Sequence, residues 1–185
     1  FDIRKTLLKF DNVLSDQRQV IFSERNNVMN NKEIFSYSDS FLNEIIENLV
    51  NDKKKYLLNP QSNEFNSKLI SIFGKSFNDQ EVYDLTKLND NDFALKINNR
   101  FKEKRNKRIK FLGEDKAQEI EKMIFLQTVD LSWKSHIQYL EQLRQVIGLR
   151  SYGQRDPLIE YKKEAFDLFE NLLEKMKTDL ITILI

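Results

Sequence analysis

A chain of 185 residues, 40% hydrophobic and 32% charged, has room for one domain or two small ones and the composition of an ordinary globular protein. Thirty Lys and Arg against 29 Asp and Glu leave a net charge of +1, which excludes a strong overall field for nucleic acid, and no run approaches the roughly 18–20 apolar residues that cross a bilayer. Zero cysteines exclude disulfide staples and thiolate metal sites and fit a reducing cytoplasm. The chain opens on Phe1 rather than Met, with no basic-then-apolar leader, and so reads as a piece of a longer protein. Four Gly and two Pro leave few places for a helix to stop, so the expected fold is all-α.

Three segments follow in order: a long helix over 1–30, shorter helices over 31–113, and a helix pair over 114–185. From Phe1 to about Asn30, Ile3, Leu7, Phe10, Leu14, Ile21 and Val28 recur at steps of three and four, with Gln17 and Glu24 filling the remaining stripe positions. Polar residues on its own seam suggest a strut that passes several neighbours. Asp11, Asp16, Arg18 and Arg25 fall on its solvated faces, where ion pairs are weak.

Between Asn31 and Gly113 the periodic stretches shorten and Asn, Asp and Ser separate them. Phe41, Leu42, Ile45, Ile46, Leu49 and Val50 predict a helix capped by Ser38 or Ser40. Asn59-Pro60 reads as the cap and first turn of a second helix, which carries Phe65, Leu69, Ile72 and Phe73 and stops at Gly74. Phe77 to Leu88 is ambiguous. Asn89-Asp90-Asn91-Asp92 then reads as a turn and helix start, with Phe93, Ile97 and Phe101 on a helix running towards Gly113.

The last segment carries two stripes. Leu126, Val129, Trp133, His136, Leu140, Leu143 and Ile147 form one; Leu158, Ala165, Phe169, Leu172, Met176, Leu180 and Ile183 form the other. Gly148, Gly153 and Pro157 oppose continued helix between them. The simplest arrangement is an antiparallel pair of helices of roughly 25 residues, each about 37 Å long, with the break at its tip. That tip, Leu149 to Pro157, places Tyr152 between Arg150 and Arg155, an aromatic and charged surface suited to pressing on another chain. Trp133 reads as a buried anchor on the stripe.

Other motifs point away from chemistry. Phe73-Gly74-Lys75-Ser76 ends like a phosphate-binding loop, but Leu69 stands where the first glycine belongs and the lead-in has helical spacing. His136, the single histidine, has no cysteine or paired acid in sequence to form a zinc site or triad, and reads as a packed residue with one or two hydrogen bonds. Asp90 and Asp92 lack the glycine and late glutamate of a calcium loop. The basic run Lys102, Lys104, Arg105, Lys107, Arg108 and Lys110 spreads around the circumference of a helix, which reads as a solvated segment, with RNA or anionic lipid as the alternative ligand.

Two stretches carry a resemblance to a known family. The first is Leu126-Gln127-Thr128-Val129-Asp130, Trp133-Lys134, His136, Tyr139-Leu140, Leu143-Arg144-Gln145, Ile147, Leu149-Arg150, Tyr152, Gln154, Asp156-Pro157, Glu160-Tyr161-Lys162 and Phe166. The second is Phe1-Asp2-Ile3-Arg4-Lys5, Leu7-Leu8, Phe10-Asp11, Val13, Asp16-Gln17-Arg18 and Arg25-Asn26. Both resemble the C-terminal part of the bacterial preprotein translocase motor ATPase family, SecA. Ser151 stands where that family usually has glycine, Gly148 where histidine is common, Ser132 follows Leu131 in reversed order, and Asn12 replaces an aspartate.

The resemblance implies a helical scaffold over 1–30 and 114–185, the latter as a two-helix finger, with a helical wing domain over 31–113. It implies that Tyr152, with Arg150, Gln154 and Arg155, touches preprotein at the mouth of a SecYEG-type channel. Asp11, Asp16, Arg18, Arg25 and Trp133 would couple the scaffold to motor domains. It further implies ATP and Mg in the parent protein and no cofactor in this segment, which would not hydrolyse ATP alone. Its partners would be preprotein, channel and the other SecA domains, with no specific nucleic acid, in the cytoplasm and peripherally at the inner face of the plasma membrane. The alternative is a generic helical interaction or coiled-coil module.

Overall fold

A computed structural model describes residues 2–58, 63–150 and 156–185, with the backbone alone at residues 2–7 and 150. Every regular element among the described residues is a helix: α1 (Asp2–Asn30), α2 (Ile34–Leu58), α3 (Glu64–Phe73), α4 (Asp79–Lys87), α5 (Asp90–Leu112), α6 (Glu114–Arg150) and α7 (Pro157–Leu184). The all-α expectation holds. The chain divides into two compact units, one of residues 1–31 and 125–176, the other of residues 32–124 and 177–185.

In the first unit α1 packs with the later part of α6 and the earlier part of α7. Phe10, Leu140, Leu143, Ile147, Tyr161 and Ala165 form its buried cluster, flanked by Val13, Leu14, Leu158 and Leu168. Phe10 and Tyr161 meet edge to face with centroids 4.8 Å apart. The seam of α1 follows the seven-residue repeat read from sequence, with Phe10, Gln17, Ile21 and Val28 buried. On α7 the gap of seven between Leu158 and Ala165 in the predicted stripe is filled by Tyr161, which is buried.

Gly148 does not stop α6. The helix runs 37 residues to Arg150, about 55 Å at 1.5 Å per residue, and so outlasts the predicted length. A glycine inside a helix costs about 1 kcal/mol against alanine, too little to end one that is held along its length by packing. Pro157 opens α7, where its missing N–H is harmless, and Asp156 caps the helix by accepting from Leu158 N at 2.9 Å.

The second unit builds its core from short helices and phenylalanines. Phe73, Phe77, Phe93 and Phe101 are fully buried, with Leu42, Leu49, Leu69, Leu85 and Ile97 among them. Ser38 and Ser40 are not caps. α2 begins at Ile34, and their hydroxyls donate back to the Ile34 and Tyr37 carbonyls at 3.1 and 2.7 Å, inside the helix. Asn59 and Pro60 lie outside the described residues, and α3 starts at Glu64 with Asn63 in the cap position. Asn78 and Glu81 form a reciprocal capping box that opens α4, and Asn89 accepts from Asp92 N at 2.8 Å to open α5 as expected.

Two glycines end helices for different reasons. Gly113 sits at φ 83°, where side chains are strained, and closes α5. Gly74 has an ordinary helical φ of −61°, but a Cβ there would stand 2.5 Å from the Ile70 carbonyl oxygen.

At the end of the predicted second stripe, Ile183 is exposed, while Leu180, Ile181, Leu184 and Ile185 are buried in this second unit.

Candidate functional site

Among the described residues of the first unit, a buried polar node joins α1, α6 and α7. Gln17 is buried on the α1 seam, and its Nε2 donates to the Ala165 carbonyl at 3.0 Å. That orientation turns Oε1 towards His136, whose Nε2 lies 2.7 Å away. Since Oε1 can only accept, His136 donates from Nε2. The imidazole is also buried, between the Trp133 ring at 5.6 Å and the Phe169 ring at 5.7 Å. Burial without an opposing charge holds its pKa below the ordinary 6.5, so the ring is neutral near pH 7. Burial likewise raises the Tyr161 hydroxyl, with Arg144 opposing the shift and Glu141 and Asp11 adding to it.

The expected coupling residues divide into two groups. Asp11 accepts from Arg144 Nη1 at 3.2 Å, and Arg25 donates from Nε to Asp130 Oδ1 at 3.1 Å, both across exposed surface. Asp16 and Arg18 are exposed. Trp133 is half-buried rather than the fully covered anchor expected, because α6 turns Phe125, Val129 and His136 further inward. Of the expected contact residues, Tyr152, Gln154 and Arg155 lie outside the described residues, as does the side chain of Arg150. The described chain ends α6 at Arg150 and resumes at Asp156, so these residues occupy the connection between the two long helices.

The two helices α6 and α7 face each other over a shallow groove of about 400 Å³ lined by residues including Tyr139, Leu143, Val146, Glu164 and Leu168. Along α6 the numbers rise as those on α7 fall: His136 meets Phe169, and Leu143 and Ile147 share a cluster with Tyr161.

The basic run is not a solvated face. Arg105 is buried, with Nη1 on Asp39 at 2.7 Å, Nη2 on Glu121 at 2.9 Å and on the Phe35 carbonyl at 3.2 Å. Its guanidinium stacks near the Phe35 and Phe101 rings, at 4.5 and 4.8 Å. Arg108 donates to the Leu184 carbonyl at 2.6 Å, and burial presses its pKa down while Glu121 resists. The planar, weakly hydrated guanidinium tolerates this position where an ammonium would not, and the lysines 102, 107 and 110 are left outside. Sequence could have signalled this: Phe101, Arg105 and Arg108 continue the buried stripe of Phe93 and Ile97 at steps of three and four.

Lys53 is a second buried cation, donating to the Leu88 carbonyl and, at 3.3 Å, to Asp90. A helix, not a strand, leads into Gly74-Lys75-Ser76, and the Ser76 hydroxyl donates to the Ile185 carbonyl at 2.9 Å. That geometry does not form a phosphate cradle.

Residues 1–185 match the family described as SecA Wing and Scaffold domain. The chain belongs to this family. It is similar to protein translocase subunit SecA of Pelagibacter ubique, 64% identical over 185 residues, which cover 100% of this chain and 22% of that protein. SecA of Bradyrhizobium diazoefficiens is 39% identical over 175 residues, 93% of this chain and 18% of its own length. SecA of Afipia carboxidovorans is 36% identical over 180 residues, 96% and 19% respectively. The chain therefore spans about a fifth of the length of these relatives. Among the described residues, no helix is long and apolar enough to cross a membrane.

Proposed function

We propose that this chain is the wing and scaffold part of a preprotein translocase motor, a mechanical element that engages polypeptide while ATP is hydrolysed in domains outside these residues. In this reading residues 1–30 and 114–185 are the scaffold, residues 31–113 are the wing, and α6 with α7 is the finger. Tyr152, helped by Arg150, Gln154 and Arg155, contacts preprotein at a SecYEG-type channel. Asp11, Asp16, Arg18, Arg25 and Trp133 relay movement from the motor domains. ATP and Mg belong to those domains, and the protein works in the cytoplasm, bound peripherally at the inner face of the plasma membrane.

The observation that carries this reading is the family match over the whole chain, joined to two long helices, α6 ending at Arg150 and α7 opening at Pro157, with Tyr152 between them in sequence. A helix resists bending over tens of ångströms, so a side chain held at the end of a helix pair can press on a partner with little loss of rotamer freedom. Replacing Tyr152 by alanine in the full-length protein should lower preprotein translocation into vesicles while the melting temperature stays unchanged. Undiminished translocation of several preproteins would overturn the assignment of Tyr152.

A further inference from the structure

We propose that Gln17, His136 and the Ala165 carbonyl form a register lock that fixes α1 lengthwise against α6 and α7. The apolar seam of α1 does not choose its own register. Phe10, Leu14, Gln17, Ile21, Glu24 and Val28 alternate steps of four and three, so a slip of one heptad, about 10 Å, lays apolar side chains over much the same surface. The polar position breaks that degeneracy.

Slipping in one direction puts Phe10 in place of Gln17, which strands the His136 N–H and the Ala165 acceptor beside a ring that can serve neither. Slipping in the other puts Glu24 there, and its carboxylate offers no donor to the Ala165 oxygen. Of the Phe10 ring, the Gln17 amide and the Glu24 carboxylate, the amide alone both accepts from His136 and donates to Ala165, at the observed 2.7 and 3.0 Å. One buried amide on an otherwise apolar seam is a known way to set register at some loss of stability. Gln17 and His136 are then positioning residues: a helix that transmits movement along its axis must not slide on the elements it moves.

The test uses the full-length protein with spin labels at the exposed positions Gln19 and Glu170, and compares the parent with the double variant Gln17→Leu/His136→Leu. The parent should give one label-to-label distance. The double variant should give more than one, separated by as much as about 10 Å, without a fall in melting temperature. A single unchanged distance in a folded double variant would overturn the proposal.

If that variant does not fold, the unaltered protein decides. His136 is the only histidine of these residues, so segmental ¹⁵N labelling of this stretch gives one imidazole. A neutral Nε2–H tautomer protected from exchange supports the lock; an Nδ1–H tautomer contradicts it.

Discussion

In the first unit the buried polar node is neutral: an amide, an imidazole and a carbonyl that satisfy one another between three long helices. The second unit buries charged groups as well as the hydroxyls of Ser38, Ser76 and Thr86. Arg105 and Glu121 are held between aromatic rings and helix ends, and Lys53 lies buried at the turn between α4 and α5. A neutral hydrogen-bonded group can be lost at about 1–3 kcal/mol, whereas removing one partner of a buried ion pair typically costs about 3–5 kcal/mol. The difference also sets what each unit can do. Neutral contacts leave long helices adjustable in principle; the buried charges of the second unit tie α2, α5 and the start of α6 together.

The sharpest way to break this contrast is Glu121→Ala, which leaves Arg105 with the Asp39 carboxylate and the Phe35 carbonyl and should destabilise the second unit by about 3–5 kcal/mol in urea unfolding. Replacing the pair together, Arg105→Met with Glu121→Leu, should restore most of that loss. A single-variant cost below about 1 kcal/mol would mean that the pair is solvated rather than buried.

A smaller effect comes from acid. The folded pKa of His136 lies below 6.5, so the unfolded chain takes up its proton first as pH falls. The neutral ring's contribution is complete above about pH 6.5 and is lost as pH drops through the folded pKa. Against His136→Gln, which cannot titrate, the parent should lose stability between pH 7 and pH 5; parallel curves would remove the neutral character assigned to the first unit's node.

The smallest effect belongs to the surface. Arg25→Ala and Asp11→Ala should each cost under about 1 kcal/mol, fading further in salt, because Arg25–Asp130 and Asp11–Arg144 are solvent-screened pairs.

The helices themselves were legible because spacing reports burial directly: the α1 seam and the α6 stripe around Val129, His136, Leu140, Leu143 and Ile147 are buried much as read. What periodicity cannot show is which polar residue on a stripe has found a partner. Gln17 looked like a gap in the seam, and Arg105 looked like part of a solvated run, because their hydrogen-bond partners lie 119 and 66 residues away in sequence.

Ends were read less well where two signals competed. Gly148 was outweighed by packing along α6, and Ser38 by a helix that had already begun at Ile34. The capping box Asn78 to Glu81 was present in the sequence and resolves the ambiguous Phe77 to Leu88 stretch. For the candidate site, the sequence supplied the motif around Tyr152 and the charged residues of α1, while the internal node emerged only from coordinates.

The central functional claim is that the connection between α6 and α7 touches the moving polypeptide. A photoreactive residue placed at position 152 of the full-length protein, with an arrested preprotein in the channel, tests it directly, using the exposed α5 position Phe111 as the comparison. The account predicts cross-links to the preprotein from position 152 and few from position 111. Cross-links from 111 with none from 152 would contradict it.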